Sequence, residues 1–185
     1  MNPYVIEYKS LAVSWFLFLM ILAGVSVEFI SKFYLKEILS TKHREDLNFN
    51  LLLGSIIGAR LFYVINNWSY YQNDLLAILG LSHLTLNLTG AVIAGGLVLL
   101  YFSWQKQINF WQLSARYVNL AAIALSIGSW VYYFEGQLSF IPNLLLSLWW
   151  VLVAVIQFLV LEDEERAEAV VVLFLMAYIL LRIVI

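Results

Sequence analysis

Six long, nearly uncharged stretches of apolar residues constrain this chain more strongly than any motif. Each approaches the roughly 20 residues that a helix needs to cross a bilayer. They lie near residues 11–30, 47–65, 84–104, 115–134, 143–161 and 169–185. Because the runs do not alternate polar and apolar residues, they predict helices rather than the strands of a membrane barrel. Hydrophobic residues make up 63% of the 185, so we expect an all-α, polytopic integral membrane protein with one domain over residues 1–185.

Charge and cysteine content narrow the classes of function. The formal net charge of −2 argues against a nucleic-acid partner, which requires a basic face. Without cysteine, this chain has no disulfide, no thiolate metal ligand and no cysteine nucleophile. His43 and His83 lack metal-ligand spacing, so we expect no metal and no other cofactor. The beginning of the chain does not resemble a cleavable signal peptide.

Basic residues are concentrated in alternate loops, which predicts the orientation of the chain. The loop after the first span contains Lys32, Lys36, Lys42 and Arg44. Lys106 and Arg166 lie in the next two loops of the same side, whereas the other side carries only Lys9 and Arg182. The positive-inside rule therefore predicts both termini outside. The acidic turn Glu162–Glu165 is then inside, as a solvated connector or as a docking site for a basic partner.

Aromatic and small residues in the spans have structural interpretations. We interpret aromatic residues near span ends as interfacial anchors, namely Trp68, Tyr70, Tyr71, Tyr101, Trp104, Trp149 and Trp150. The spacings Gly54-x-x-x-Gly58 and Ala91-x-x-x-Gly95 predict close approach of another helix.

Arg60 stands inside an otherwise apolar span, where a charge is costly and marks a site or a pairing partner. We expect its guanidinium to be paired with an acidic side chain, a carbonyl oxygen or a lipid phosphate. Glu135, Tyr63 and a headgroup are the expected partners. Snorkelling towards the interface is the alternative interpretation for Arg60 and for Arg182.

The order and spacing of several segments match one known family. The segments are Gly-Ala-Arg-Leu-Phe-Tyr at 58–63, Asp-Leu-Leu at 74–76, Asn-Leu-Thr-Gly-Ala-Val-Ile-Ala at 87–94, Phe-Trp-Gln-Leu-Ser at 110–114, and residues 128–137. Tyr178 and Arg182 add a Tyr-x-x-x-Arg pair. Together they resemble the prolipoprotein diacylglyceryl transferases, bacterial enzymes that move a diacylglyceryl group from phosphatidylglycerol to a lipoprotein cysteine. The resemblance centres on residues 51–137 and implies the bacterial cytoplasmic membrane and a phospholipid partner.

The polar residues of that family are not reproduced here. Its histidine falls on Thr89, the arginine of its signature on Ser129, the asparagine on Tyr132 and the glutamate on Gln137. A further glutamate would fall beyond Ile185. The resemblance therefore implies a catalytically inactive relative, without expected catalytic residues. The polar residues that remain as candidates for lipid binding are Arg60, Tyr63, Glu135, Tyr178 and Arg182.

Three functions follow, from different classes. The first is a noncatalytic structural or lipid-binding subunit of a membrane assembly, with Trp130, Tyr132 and Tyr133 filling the former substrate cavity. The alternative is an active phosphatidylglycerol–prolipoprotein diacylglyceryl transferase with a rearranged site, in which His83 or Glu135 acts as the base. The third is a small transporter, which the scarcity of ionisable residues in the spans and the lack of an inverted repeat disfavour.

Overall fold

The computed structural model describes residues 4–8, 11–79, 85–161 and 166–184. In chain order the helices are α1 (Trp15–Tyr34), α2 (Thr41–Asn66), α3 (Trp68–Tyr71), a 3-10 helix (Leu75–Leu79), α4 (Leu88–Lys106), α5 (Phe110–Gly128), α6 (Trp130–Phe134), α7 (Phe140–Leu161) and α8 (Ala167–Val184). Within these residues, five helical segments are long and apolar enough to cross a membrane, and the apolar part of α8 is slightly shorter. The predicted class, a helical polytopic membrane protein, is confirmed.

A short β-hairpin precedes the first helix. Strands β1 (Tyr4–Tyr8) and β2 (Leu11–Ser14) pair antiparallel. The predicted first span at 11–30 therefore begins too early, because α1 begins only at Trp15. Ser14 ends the strand and caps the helix, since its Oγ accepts a hydrogen bond from the Leu17 amide at 3.2 Å. Such a cap satisfies one of the free N–H groups of the first helical turn.

The fourth predicted span, 115–134, begins earlier, at Phe110, and forms one helical segment to Phe134. This segment is interrupted locally at Ser129, whose amide still donates to the Leu125 carbonyl oxygen at 2.9 Å. At the interruption the Ser129 hydroxyl donates to the carbonyl oxygen of Ser126 at 2.8 Å. A serine hydroxyl that bonds back to the preceding turn competes with the backbone ladder, which favours a break at this position.

Residues 1–38 and 111–185 form one compact unit, which contains α1 and α5 to α8. Its largest buried cluster surrounds Trp150, which is 2% exposed and lies 5.8 Å from the Phe174 ring between centroids. Ala122 and Tyr178 belong to the same cluster. The interpretation of Trp150 as an interfacial anchor is therefore wrong, because its side chain fills the core of this unit.

Helix α1 is fastened near both of its ends within this unit. Near its start, the Trp15 ring stacks on Phe134 at 3.9 Å between centroids. At its end, Arg116 of α5 donates a hydrogen bond to the carbonyl oxygen of Tyr34 at 2.6 Å. The guanidinium carbon also lies 5.5 Å from the centre of the Tyr34 ring. One arginine thus satisfies a free carbonyl at a helix carboxyl end and lies within cation–π distance of that residue's ring.

Residues 39–110 form a second compact unit, in which α2 and α4 pack against each other. The close approach predicted from Gly54 and Gly58 is confirmed, because a Cβ added at Gly58 would lie 2.7 Å from the Gly90 carbonyl oxygen. A Cβ at Gly54 would lie 2.8 Å from a methyl carbon of Val98. Small residues on both helices therefore allow direct contact between the two backbones.

Candidate phosphate site and the positions matched to the family's polar residues

Arg60 is buried near the carboxyl end of α2 and bonds to backbone carbonyl oxygens. Its Nε donates to Ile78 at 3.0 Å, and its Nη2 donates to Ala77 at 2.8 Å. Its Nη1 donates to the carbonyl oxygen of Thr85 at 3.3 Å. The prediction that Arg60 is paired is confirmed, with carbonyls as the partners. These hydrogen bonds therefore hold Ala77, Ile78 and Thr85 against α2.

Two tyrosine rings complete the surroundings of this guanidinium. Its carbon atom lies 5.2 Å from the centre of the Tyr71 ring and 6.0 Å from that of Tyr63. Both distances are within the range of cation–π attraction. Among the residues that the structure describes, no carboxylate lies within ion-pair distance of Arg60. A guanidinium has five N–H groups, so three bonds to carbonyls leave two for another acceptor.

Asp74 and Asn87 hold the backbone around Arg60. The Asp74 carboxylate accepts hydrogen bonds from the amides of Leu76 at 3.1 Å and Ala77 at 3.3 Å. These bonds begin the 3-10 helix whose later carbonyls face Arg60. The Asn87 amide donates to the carbonyl oxygen of Ala59 at 3.1 Å, next to Arg60 in α2. The polar side chains of Asp74 and Asn87 therefore fix the described backbone next to Arg60.

Thr89, which the resemblance matches to the family histidine, lies in the first turn of α4. The Asn87 side-chain oxygen caps this helix by accepting bonds from the amides of Thr89 at 2.9 Å and Gly90 at 3.4 Å. Thr89 belongs to the second unit, as Arg60 does. A threonine hydroxyl does not take up a proton near neutral pH, so this position offers no general base.

Ser129, which the resemblance matches to the signature arginine, is buried in the first unit at the break between α5 and α6. Its hydroxyl is engaged within its own helical turn at Ser126. Ser147 of α7 donates to the same Ser126 carbonyl oxygen at 3.1 Å and accepts from the Trp130 indole nitrogen at 3.2 Å. These residues form a neutral hydrogen-bonded cluster without a cationic group.

The resemblance matches Tyr132 and Gln137 to the family's asparagine and glutamate. Tyr132 is 45% exposed, and its carbonyl oxygen accepts bonds from the amides of Gln137 at 2.8 Å and Leu138 at 2.9 Å. The Gln137 side-chain amide donates to the Glu135 carboxylate at 3.2 Å. Gly136 has a φ of 75°, a conformation that favours glycine and turns the chain here. Glu135 and Gln137 therefore share one turn between α6 and α7.

Aromatic rings are packed around α6. Trp130, Tyr133, Phe134 and Phe140 lie with their centroids between 5.4 and 6.3 Å apart, and Trp15 stacks on Phe134. Trp130 and Tyr133 belong to this cluster, whereas Tyr132 is 45% exposed. That the three residues fill a former substrate cavity stays a prediction.

The remaining candidates are divided between described and undescribed parts of the chain. Tyr178 is buried in the core cluster of the first unit, where helix packing accounts for it. The side chain of Arg182 lies outside the described residues, as do His83 and the acidic turn at 162–165. The structure therefore joins Arg60 with Tyr63, and Glu135 with Gln137.

Sequence reasoning missed the acceptors around Arg60 and several buried polar residues of α5 and α7. The carbonyls of Ala77, Ile78 and Thr85 leave no trace in the sequence, because every residue type carries the same acceptor. The buried polar residues Asn119, Ser126, Asn143 and Ser147 were detectable, since they recur at core positions of helices α5 and α7 in otherwise apolar stretches.

The fold and these positions define a multi-pass helical membrane protein with an arginine buried in one unit and a neutral polar cluster in the other. A family profile described as prolipoprotein diacylglyceryl transferase matches residues 3–185. The chain belongs to that family.

Similar proteins are found in several bacteria. The chain is 33% identical over 134 residues to the phosphatidylglycerol–prolipoprotein diacylglyceryl transferase of Listeria welshimeri, an alignment that covers 70% of the chain and 47% of that protein. It is 29% identical over 139 residues to a protein of the same name from Synechococcus elongatus, covering 74% and 47%. For Trichormus variabilis the identity is 27% over 140 residues, covering 74% and 49%. The chain spans about half the length of the curated relatives it matches.

Proposed function

We propose that the chain is a noncatalytic, phospholipid-binding member of its family that serves as a subunit of a membrane assembly. One observation carries the proposal: Thr89, Ser129 and Gln137 stand at the family's polar positions, and all three are neutral. General-base catalysis contributes about 10²–10⁴-fold to an enzymatic rate, and a preorganised charge-stabilising group about 10²–10³-fold. Losing such groups together removes most of what the reaction requires.

The contacts of these residues support the same conclusion. The Ser129 hydroxyl bonds to Ser126, and the Gln137 amide bonds to Glu135. The aromatic residues beside Ser129 pack against one another and against α1. A site that must admit a lipid and a peptide needs open space, and close packing of aromatic rings around α6 leaves little of it there. A scaffold that is kept without its reactive groups suits a binding or structural role.

Arg60 is the residue we assign to the lipid phosphate. It is buried, its two remaining N–H groups can bond to phosphate oxygens, and no described carboxylate neutralises it. A charge with no partner of opposite sign is costly inside a membrane protein, and an anionic headgroup would supply that partner. Tyr63 contributes its ring beside the guanidinium. Glu135, Tyr178 and Arg182 belong to the first unit, and their part in lipid binding rests on the family resemblance.

The orientation forms part of the proposal. Both termini are placed outside the cytoplasmic membrane by the distribution of lysine and arginine between alternate loops. The carboxyl end of α2, and Arg60 with it, then belongs to the outer leaflet.

An activity assay tests the central claim. The purified protein would receive phosphatidylglycerol and a peptide with a lipoprotein signal sequence and its cysteine, beside the transferase from Listeria welshimeri. We expect no lipidated peptide above a control without enzyme. Turnover within a few hundredfold of the Listeria enzyme would refute the noncatalytic function.

A binding assay tests the role of Arg60. Native mass spectrometry would compare phosphatidylglycerol with diacylglycerol, which has the same acyl chains but no phosphate. We expect a preference for phosphatidylglycerol that falls about tenfold in Arg60→Gln and less in Arg60→Lys, because lysine keeps the charge but not the planar fork. Arg166→Gln, at an exposed arginine of the other unit, serves as the control and should bind as the native protein does.

An active transferase is the second candidate, favoured by the names of the relatives. It would use Glu135 or His83 as the base in place of the family histidine. Should the assay show turnover, Glu135→Gln and His83→Gln identify the base, since the substitution of a true base lowers the rate at least 100-fold.

A further inference from the structure

A line of buried polar side chains runs between α5 and α7 in the first unit. Asn119 and Ser126 lie on α5 and Ser129 follows it directly, whereas Asn143, Ser147 and Gln157 lie on α7. The spacings of three, four, seven and ten residues place each set near one helix face. In a bilayer, polar groups on such a face contribute to helix association through hydrogen bonds, because lipid tails provide no water to bond to.

Most of this line is paired within the protein. The Asn119 side-chain amide donates to the carbonyl oxygen of Ala154 at 2.7 Å. The hydroxyls of Ser126 and Ser147 lie 3.3 Å apart, and Ser147 also bonds to the Trp130 indole. These contacts connect α5 to α7 at two levels along the helices, at Asn119 and at Ser126, and they connect α6 to α7 at Trp130.

Asn143 differs from the other members because both ends of its side chain lack a partner in the part of the chain that the structure describes, whereas Gln157 lacks one only at Oε1 and donates from Nε2 to the Val170 carbonyl oxygen at 3.2 Å. Asn143 lies one helical turn before Ser147, its side chain is 0% exposed, and neither its Oδ1 nor its Nδ2 has a hydrogen-bond partner among the described residues. Its backbone is in place, since its amide donates to the Ser139 carbonyl oxygen at 3.2 Å. The side chain therefore offers a carbonyl acceptor and two N–H donors that the neighbouring helices leave unused.

The chemistry of a carboxamide restricts what can bind there. An anion would satisfy the Nδ2 donors but not the Oδ1 acceptor, and a metal ion would satisfy only Oδ1. A hydroxyl group both donates and accepts, so one hydroxyl or a bound pair can satisfy both ends. The nearest turn of α7 presents another hydroxyl, that of Ser147, and its described hydrogen-bond partners, Ser126 and Trp130, carry no charge.

The geometry points to a hydroxyl-binding site at Asn143, occupied either by an internal water molecule or by the hydroxyl of a polyol headgroup. Buried waters in proteins occupy such positions, where they bond to polar groups that the protein leaves unpaired. This site belongs to the first unit, so it does not depend on the phosphate site assigned to Arg60 in the second.

Nuclear magnetic resonance can test the site directly. Protein labelled with ¹⁵N at asparagine side chains would be placed in lipid nanodiscs, and cross-relaxation from the two Asn143 amide protons would be measured. Asn119 is a matched control in the same unit, because it is also buried but donates directly to a carbonyl. The substitutions Asn143→Ser and Asn119→Ser assign the two signals.

We expect cross-relaxation to a hydroxyl proton at Asn143 and none at Asn119. If this hydroxyl proton exchanges with bulk water, the bound group is an internal water molecule. If the cross-relaxation appears in phosphatidylglycerol but not in phosphatidylcholine, the bound group is a headgroup hydroxyl. Absence of any hydroxyl signal at Asn143 would overturn the proposal. So would a higher melting temperature of Asn143→Leu, because it would show that the native amide is left unsatisfied. Should Asn143→Ser fail to fold, Asn143→Gln assigns the signal instead, because it keeps a carboxamide but removes the labelled asparagine.

Discussion

The backbones of Gly58 in α2 and Gly90 in α4 approach so closely that a Cβ on Gly58 would lie 2.7 Å from the Gly90 carbonyl oxygen. The same added atom would collide with the side chain of Ala94. Neither neighbour can rotate away, because one is a backbone atom and the other is a Cβ. This contact holds α2 against α4 and therefore supports the segment that encloses Arg60.

We expect Gly58→Ala to lower the stability of the protein by about 1–3 kcal/mol, as overpacking in a close-packed contact does. Thermal unfolding in mild detergent, followed by size-exclusion chromatography, measures the effect. Gly96→Ala is the matched control on α4, because nothing lies within 4 Å of a Cβ at that position. If both variants melt at the same temperature as the native protein, the helices do not pack as described.

Arg60→Ala should loosen the segment between α3 and α4, because three carbonyl oxygens lose their donor. Limited proteolysis around residues 72–79 measures the effect, and we expect cleavage to become at least tenfold faster. The cleavage rate of Arg60→Lys should lie between those of the native protein and of Arg60→Ala, because one ammonium group cannot make all three hydrogen bonds of the guanidinium. Unchanged cleavage in Arg60→Ala would mean that the arginine does not fasten this segment.

Ser129→Arg would restore the residue type of the family signature, but we expect it to destabilise the protein by at least 3 kcal/mol. The position is 5% exposed, and its neighbours are neutral hydroxyls and an indole, so a guanidinium there would be buried without a partner. Ser139→Arg, at an exposed position in the turn before α7, should cost much less. Equal melting temperatures for the two variants would contradict the burial of Ser129.

Trp150→Ala should destabilise the first unit by about 3 kcal/mol. The loss comes from a cavity beside Phe174 and Ala122, because an indole removed from the helix core leaves its neighbours without contacts. Trp104→Ala is the control, since that side chain is 72% exposed. Unfolding in mixed micelles with increasing dodecyl sulfate compares them, and a smaller loss for Trp150→Ala than for Trp104→Ala would refute the core position.

Cysteines introduced at Asn73 and Glu164 should react with a membrane-impermeant thiol reagent from opposite sides. The native chain has no cysteine, so the background is free of other thiols. The distribution of lysine and arginine predicts that Asn73 lies outside and Glu164 on the cytoplasmic side. Glu164 is outside the described residues. Labelling of both cysteines in intact cells would exclude the proposed orientation.

Hydropathy alone was sufficient for the class of protein and the positions of its helices, because each span is a local property of about 20 consecutive residues. It failed where a local contact overrides hydropathy. Ser14 ends a strand within the predicted first span, and Ser129 interrupts the fourth. The cap and the back-bonding hydroxyl involve single atoms, to which an average over a window is insensitive.

The sequence by itself determined the membrane class, the close-packing glycines and the cost of a charge at position 60. Only the tertiary structure decided what surrounds that charge, because the carbonyls of Ala77, Ile78 and Thr85 belong to the backbone and carry no sequence signal. It also decided that Trp150 packs in a core and that the buried Asn143 side chain has no hydrogen-bond partner among the residues that the structure describes. The sequence shows that a span contains an aromatic or an amide residue, but the packing of the neighbouring helices determines which face of that span is buried.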